Sequence, residues 1–235
     1  MGFTEDQRRL VQAIDGWLFP EEASILHQLA SESRGSGVIV EIGSWQGKST
    51  VCLGLGSLKG QRKPIYAIDP HTGSCEHQAD RESIWTFDQF RANIEEAGIT
   101  HLVKPLVKFS NDAIEDVPEP IDLIFIDGAH EYEAVLQDFQ NWYPKVPVGG
   151  VMAFHDTLGW PGPRRVVRDH LYHSKQFRNV RFVKSITYAE KVECNTFMER
   201  LKNRLTWIRH EIYEAIFRAA NWAPLKRIIL AFRNQ

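Results

Sequence analysis

The sequence predicts an α/β fold built on a mostly parallel sheet with helices on both faces, and three observations carry this reading. Short runs that are apolar throughout, beginning with VIVEI, alternate with longer segments of helical periodicity, the pattern of parallel strands buried on both sides. The first run ends in Glu41, then turns through Gly43 and Gly47 into Ser49 and Thr50, a helix start whose free backbone N–H groups suit an anion. Two strand-like runs, 179–185 and 186–192, are joined so tightly that they pair antiparallel, which gives the sheet an antiparallel edge strand.

Taken in order, the chain opens with helices at 4–17, capped by Thr4, and at 20–33, where Ile25, Leu26, Leu29 and Ala30 share a face. Gly35 and Gly37 end the second. Strands follow at 38–42, 64–68, 102–109, 121–126 and 148–154, with helices near 49–58, 83–97, 111–115 and 131–143. A loop holding Gly159, Pro161, Gly162 and Pro163 leads to a helix at 164–173 and then to the last two strands. Beyond them Phe197, Leu201, Leu205, Ile208, Ile212, Ile216 and Ala219 form a helical stripe, and Pro224 interrupts it before one more short helix. Three parts result: a helical entry (1–37), an α/β domain (38–194) and a basic amphipathic helical appendage (195–235).

The 235 residues suffice for a large α/β domain with an appendage, and 43 % hydrophobic with 25 % charged residues is ordinary for a soluble globular protein. The net charge of −2 hides an asymmetry, because 195–235 hold eight cations against three acids, +5, and the body carries −7. Cys52, Cys75 and Cys194 form no CxxC pair, which points to a reducing compartment and hence the cytoplasm. The start MGFTEDQRRL has acidic residues and no apolar core, so it does not read as a secretory signal, and no apolar run is long enough to span a bilayer.

The glycine turn admits two nucleotide-like ligands, and spacing separates them. GKST imitates the end of a phosphate-binding loop and DLIFID its acidic partner strand, but the glycine required five residues before Gly47 is Ile42. GxGxxG, the dinucleotide fingerprint, is absent. What remains, EIGSWQGKST, resembles the first motif of class I S-adenosylmethionine-dependent methyltransferases, in which Glu41, Gly43, Gly47 and Ser49 are cofactor-binding candidates. The next strand ends in Asp69, 28 residues after Glu41, as expected of a carboxylate that accepts from both ribose hydroxyls. Ser110, after the third strand, and Asp127, after the fourth, are further cofactor candidates.

FIDGAH (125–130) and FHDT (154–157) both follow apolar strands, so Asp127, His155 and Asp156 should converge at the carboxyl edge of the sheet. Crowded carboxylates need a positive partner, and a divalent metal held by Asp127 and Asp156, with His155 as a third ligand, is the simplest one. Each residue also has a plainer reading: Asp127 as a turn former before Gly128, Asp156 as a loop cap, His130 as a solvent-facing helix start. A zinc cluster of His71, Cys75 and His77 lacks a fourth ligand.

GWLFPEEASILHQLA, EIGSWQGKST, IDPHTG, IDLIFIDGAHEYEAVLQDF and PVGGVMAFHD, taken together over about 16–192, resemble the macrocin O-methyltransferases and their cephalosporin-hydroxylase-like relatives. The resemblance implies a Rossmann-like class I methyltransferase fold and the cofactor S-adenosyl-L-methionine. It implies Mg²⁺ or Mn²⁺ on Asp127, with further ligands from His155 and Asp156, and a general base at His130. The acceptor would be a hydroxyl of a sugar or natural-product-like small molecule. Some members carry Glu at the position of His155, so this histidine either backs the ligands or selects a softer metal. The loop at 158–165 offers Trp160, Arg164 and Arg165 to an acceptor, as does the polar segment 71–83. The rivals are a hydroxylase-like, non-methylating relative and a silent binding module recruited by the basic helices. Those helices pack on the domain, join a second copy or rest on an anionic membrane; an acidic body argues against nucleic acid.

Overall fold

The computed structural model describes residues 2–73 and 84–221. Its centre is a seven-stranded sheet ordered β3-β2-β1-β4-β5-β7-β6. The strands are β1 (Val38–Ile42), β2 (Ile65–Ile68), β3 (Val103–Leu106), β4 (Ile121–Ile126), β5 (Val151–Phe154), β6 (Phe177–Val183) and β7 (Ile186–Lys191). β1 to β5 are mutually parallel, and β7 lies antiparallel between β5 and β6, supplying the antiparallel element expected at that edge. A two-residue turn at Lys184 (φ 52°) and Ser185 joins β6 to β7.

Seven α-helices cover the sheet among the described residues: α1 (Glu5–Ala13), α2 (Pro20–Glu32), α3 (Lys48–Lys59), α4 (Phe87–Glu96), α5 (Tyr132–Trp142), α6 (Pro161–Val167) and α7 (Phe197–Asn221). Alternation along β1 divides the core. Ile39 joins Leu26, Leu53, Phe90 and Phe125 under α1 to α4, whereas Val38, Val40 and Ile42 join Phe139, Trp142, Phe154 and Leu171 under α5 and α6. Each fully buried large apolar side chain contributes about 1.5–3 kcal/mol of transfer free energy, so both layers are needed to hold the strands.

Several boundaries depart from the pattern for local reasons. α1 ends at Ala13 because Ile14 is extended and Gly16 turns at φ 139°. β3 is short and contains Pro105, which lacks a ladder donor and is tolerated on an edge strand. β5 starts only at Val151, after a turn at Gly149 and Gly150. The segment expected as a helix at 111–115 is two 3₁₀ turns, Ser110–Asp112 and Ile114–Asp116, and the helix expected at 164–173 is α6 continued by a π turn, Arg168–Tyr172. The short helix expected after Pro224 lies outside the described residues. No helix among the described residues is long and apolar enough to cross a membrane.

Candidate active site at the carboxyl edge of the sheet

Parallel pairing carries the chain past each strand end in a staggered row. The N–H of Gly43 donates to Ile68 O at 2.9 Å, that of Asp127 to Ile42 O at 2.8 Å, and that of His155 to Ile126 O at 3.0 Å. The residues after β2, β1, β4 and β5 therefore face one crevice, where open α/β sheets bind ligands.

On its β1 side the crevice is a cradle. Gly43 (φ 83°) admits no side chain, because a Cβ would lie 2.0 Å from the Asp127 carbonyl oxygen. Its first duty is thus to let β1 and β4 close together. Gly47 (φ 88°) is the N-cap of α3, and Ser49 sits buried in the first turn. Glu41 is fully buried; its Oε2 accepts from Thr50 Oγ1 and its Oε1 has no hydrogen-bond partner. Burial pushes the Glu41 carboxyl up to about 8 against the opposing pull of the Ser49 and Thr50 hydroxyls, with smaller help from the charges of Asp127 and Asp69. Ser44 Oγ, also buried, is likewise unpartnered. Asp69 Oδ2 accepts from the Trp45 N–H at 2.8 Å and Oδ1 from the His71 N–H at 2.6 Å, so this carboxylate clamps two loops while each oxygen keeps a second lone pair.

On the β4 and β5 side five titratable side chains interlock. His155 Nδ1 lies 2.9 Å from Asp127 Oδ1 and 3.4 Å from Asp156 Oδ2, and its Nε2 lies 3.3 Å from Glu22 Oε2. His130 Nε2 lies 2.9 Å from Asp156 Oδ2, and the His130 ring stacks on Trp160 at 4.1 Å and 13°. Burial works against a charge on His155, but Asp127, Asp156 and Glu22 outweigh it and raise its pKa well above the usual histidine range. Burial would lift Asp156, yet hydrogen bonds from His130 and His155 hold it well below the usual carboxylate range. Asp127 is raised, first by burial and also by Asp156, against the pull of His155. Asp156 adopts φ 54°, a strained backbone for a non-glycine residue. Asp127, His130 and His155 line a small cleft with Gly128 and Pro163.

The structure brings Asp127, His130, His155 and Asp156 together as the motifs implied, and Asp127, His155 and Asp156 each offer a ligand atom within 4.8 Å of the others. Both nitrogens of His155 already face carboxylates, Nδ1 on Asp127 and Asp156 and Nε2 on Glu22. The donor set still fits a hard cation through the two carboxylates, with His155 buttressing them.

Other residues singled out by the sequence have partners within the chain. Ser110 donates its hydroxyl to Asp138 of α5. Burial raises the Asp138 carboxyl to about 6. Lys48, which reads as a solvated side chain, donates to Gly16 O at 3.0 Å and ties the N-terminal segment to the cradle. Arg164 forms a two-pronged ion pair with Glu211, and Arg165 lies 4.0 Å over the Tyr132 ring, so both fasten α6. His71 is buried among Trp85, Phe87 and Phe90 with Nδ1 on Thr86; Cys75 and His77 lie outside the described residues. Sequence reasoning missed Glu22. Its carboxylate, 0 % exposed, accepts from Ser185 N–H (2.8 Å), Ser185 Oγ (2.7 Å) and Phe19 N–H (2.9 Å) while holding His155. The only local signal was a glutamate at the third position of a helix, where it reads as a capping residue.

A crevice of this kind, with a glycine turn after β1, an acid after β2 and an acid–histidine cluster after β4 and β5, defines a class I methyltransferase fold. Residues 40–157 match the family described as a methyltransferase domain, and the chain belongs to that family. A protein of Sinorhizobium fredii is 30 % identical over 121 residues, covering 51 % of this chain and 13 % of that protein, and one of Acanthamoeba polyphaga mimivirus is 30 % identical over 122 residues, covering 50 % of each. The chain thus spans at most half the length of these two relatives. Among solved structures, the O-methyltransferase NovP superposes with a TM-score of 0.61 at 18 % identity, covering 74 % of this chain and 80 % of NovP. The O-methyltransferase TomG from Streptomyces achromogenes, in complex with SAM, gives 0.59 at 18 % identity over 81 % and 91 % of the two chains. An O-methyltransferase from Bacillus cereus in complex with SAH gives 0.57 at 19 % identity over 80 % and 92 %.

Proposed function

We propose that this protein is an S-adenosylmethionine-dependent O-methyltransferase, assisted by a divalent metal, that acts on a hydroxyl of a sugar or natural-product-like small molecule. The observation that carries the reading is the His130–Asp156–His155–Asp127 cluster beside a cradle whose buried Glu41 Oε1 and Ser44 Oγ lack partners. SAM and SAH in the TomG and Bacillus cereus structures, and the O-methyltransferase names, support the cofactor and the reaction type.

The two unpartnered oxygens suit the ammonium group of the cofactor's methionine end, and Ser49 at the start of α3 suits its carboxylate. Asp69 keeps lone pairs for the ribose hydroxyls. Ser110 would reach the cofactor only by turning from Asp138. When bound, S-adenosylmethionine supplies a methyl group on a sulfonium for in-line displacement by the acceptor oxygen, forming O–CH₃ as S–CH₃ breaks. Asp127 and Asp156 would hold Mg²⁺ or Mn²⁺, whose chemistry there is to lower the pKa of the acceptor hydroxyl. Asp156 orients the His130 ring through Nε2 at 2.9 Å, and His130 takes the hydroxyl proton. Trp160 fixes the plane of the ring. Glu22 and His155 hold Asp127 in place, since misplacement by an ångström costs rate.

Isothermal titration with S-adenosylhomocysteine, ATP and Mg²⁺ or Mn²⁺ tests the assignment. S-adenosylhomocysteine should bind and ATP should not; the reverse result rejects it. Unchanged methyl transfer after metal removal with EDTA would reject the metal's part alone.

A further inference from the structure

We propose that the outward face of α7 is a docking surface for an anionic lipid bilayer. An ordinary surface helix turns its apolar stripe inward, whereas α7 docks through Trp207, Tyr213 and several polar side chains and leaves its longest apolar stripe outside. Its polar residues Asn203, His210 and Glu214 are 1 %, 0 % and 2 % exposed. Asn203 donates to Phe177 O at 2.9 Å and accepts from the Val180 N–H at 3.3 Å, so the polar face is bound to β6 by specific hydrogen bonds. Met198, Leu201, Leu205, Ile208, Ile212 and Ile216 look outward and are 41–60 % exposed. They recur at spacings of three and four and cover about 27 Å of helix. A continuous apolar seam of this length on a soluble domain marks an interaction surface.

The charges beside the seam choose the occupant. Lys202, Arg204 and Arg209 flank it and are exposed. Each acid of the helix is already held: Glu199 by the Thr196 N–H, Glu211 by Arg164, and Glu214 by Gly159 N–H and Arg218. The border of the seam is therefore cationic. A second copy fits poorly, because the antiparallel register that faces Leu205 with Ile208 and Leu201 with Ile212 sets Lys202 against the other copy's Arg209 at both ends. Parallel pairing sets Arg204 against Arg209. An anionic headgroup layer meets all three cations favourably while the seam enters the acyl boundary, the arrangement of an in-plane amphipathic helix. The sequence that follows, with Lys226, Arg227, Ile228, Ile229 and Leu230, keeps the same composition. The helix also braces the catalytic loop, since Glu214 accepts from the Gly159 N–H at 3.1 Å one residue before Trp160. Docking would thus set the acceptor loop beside the membrane surface.

Vesicle sedimentation of the full chain tests this without cofactor or activity, so its outcome is separate from that of the methyltransferase reading. The protein should pellet with phosphatidylcholine vesicles containing about 30 % phosphatidylglycerol and remain in solution with phosphatidylcholine alone, and added salt should release it. Ile208→Glu with Ile212→Glu should lower partitioning about tenfold or more with the melting temperature unchanged, because both side chains are exposed; Lys202→Glu with Arg209→Glu should act in the same direction. Absence of binding to anionic vesicles overturns the proposal. A dimer in analytical ultracentrifugation that Ile208→Glu dissociates, without vesicle binding, also overturns it and assigns the face to a second copy.

Discussion

Strand β4 carries an aspartate near each end, and the two sit in opposite kinds of surroundings. Asp122, at the amino edge of the sheet, is 9 % exposed and accepts from Lys63 Nζ at 2.6 Å and from the Gly37 N–H at 2.7 Å, while Lys63 also donates to the carbonyls of Gly35 and Gly37. One anion meets one cation there, and the remaining donors go to backbone. Asp127, just past the carboxyl end, shares buried His155 with Asp156 and Glu22, and Asp156 also meets His130, so three carboxylates face two histidines. The satisfied pair ties the bottom of the sheet. The cluster at the other edge keeps more carboxylates than histidines, an imbalance that suits a cationic ligand. The same residue type five positions apart on one strand thus does structural work at one edge and site work at the other.

Variants at the two edges should separate these roles. His130→Gln should cut methyl transfer by about 10²–10⁴-fold with S-adenosylhomocysteine affinity retained; a loss below tenfold would remove His130 as the base. Lys63→Met strands the buried Asp122 charge and should cost about 3–5 kcal/mol in urea unfolding, most of it regained in Lys63→Met with Asp122→Leu. If the double variant is no more stable than the single, the ion pair is not what closes the amino edge. Glu22→Gln should lower turnover about 10–100-fold with cofactor affinity unchanged, the signature of a positioning residue; an equal rise in the cofactor's Kd would show that the fold itself had shifted.

The smallest effect is expected at Asp138, the 7 % exposed carboxylate that accepts from Ser110. Its folded pKa, about 6, lies above the ordinary 3.8. The protonated form is therefore favoured by the fold, and this contribution, full below about pH 3.8, is lost as pH rises through about 6. Asp138→Asn, which keeps an acceptor for Ser110, should match the parent in thermal unfolding near pH 4 and exceed its stability by about 1–2 kcal/mol at pH 8. A difference independent of pH would show that Asp138 is not buried as a strained charge.

Sequence by itself determined the order of strands and helices, the glycine turn and the convergence of Asp127, His130, His155 and Asp156, because each follows from a local pattern: apolar runs, turn chemistry, and residues placed just past strand ends. Only the tertiary structure decided what those residues touch. Glu22 lies 133 residues from His155, and nothing local in a helix-capping glutamate shows that it closes beneath the active site. Arg164 and Arg165 were legible as cations but not as ones already spent on Glu211 and Tyr132. The stripe of α7 was legible as periodicity, whereas its outward direction was not. Helical spacing reports that apolar residues share a face, and the side that faces the domain is chosen by the hydrogen bonds of Asn203 to β6 and the burial of His210 and Glu214.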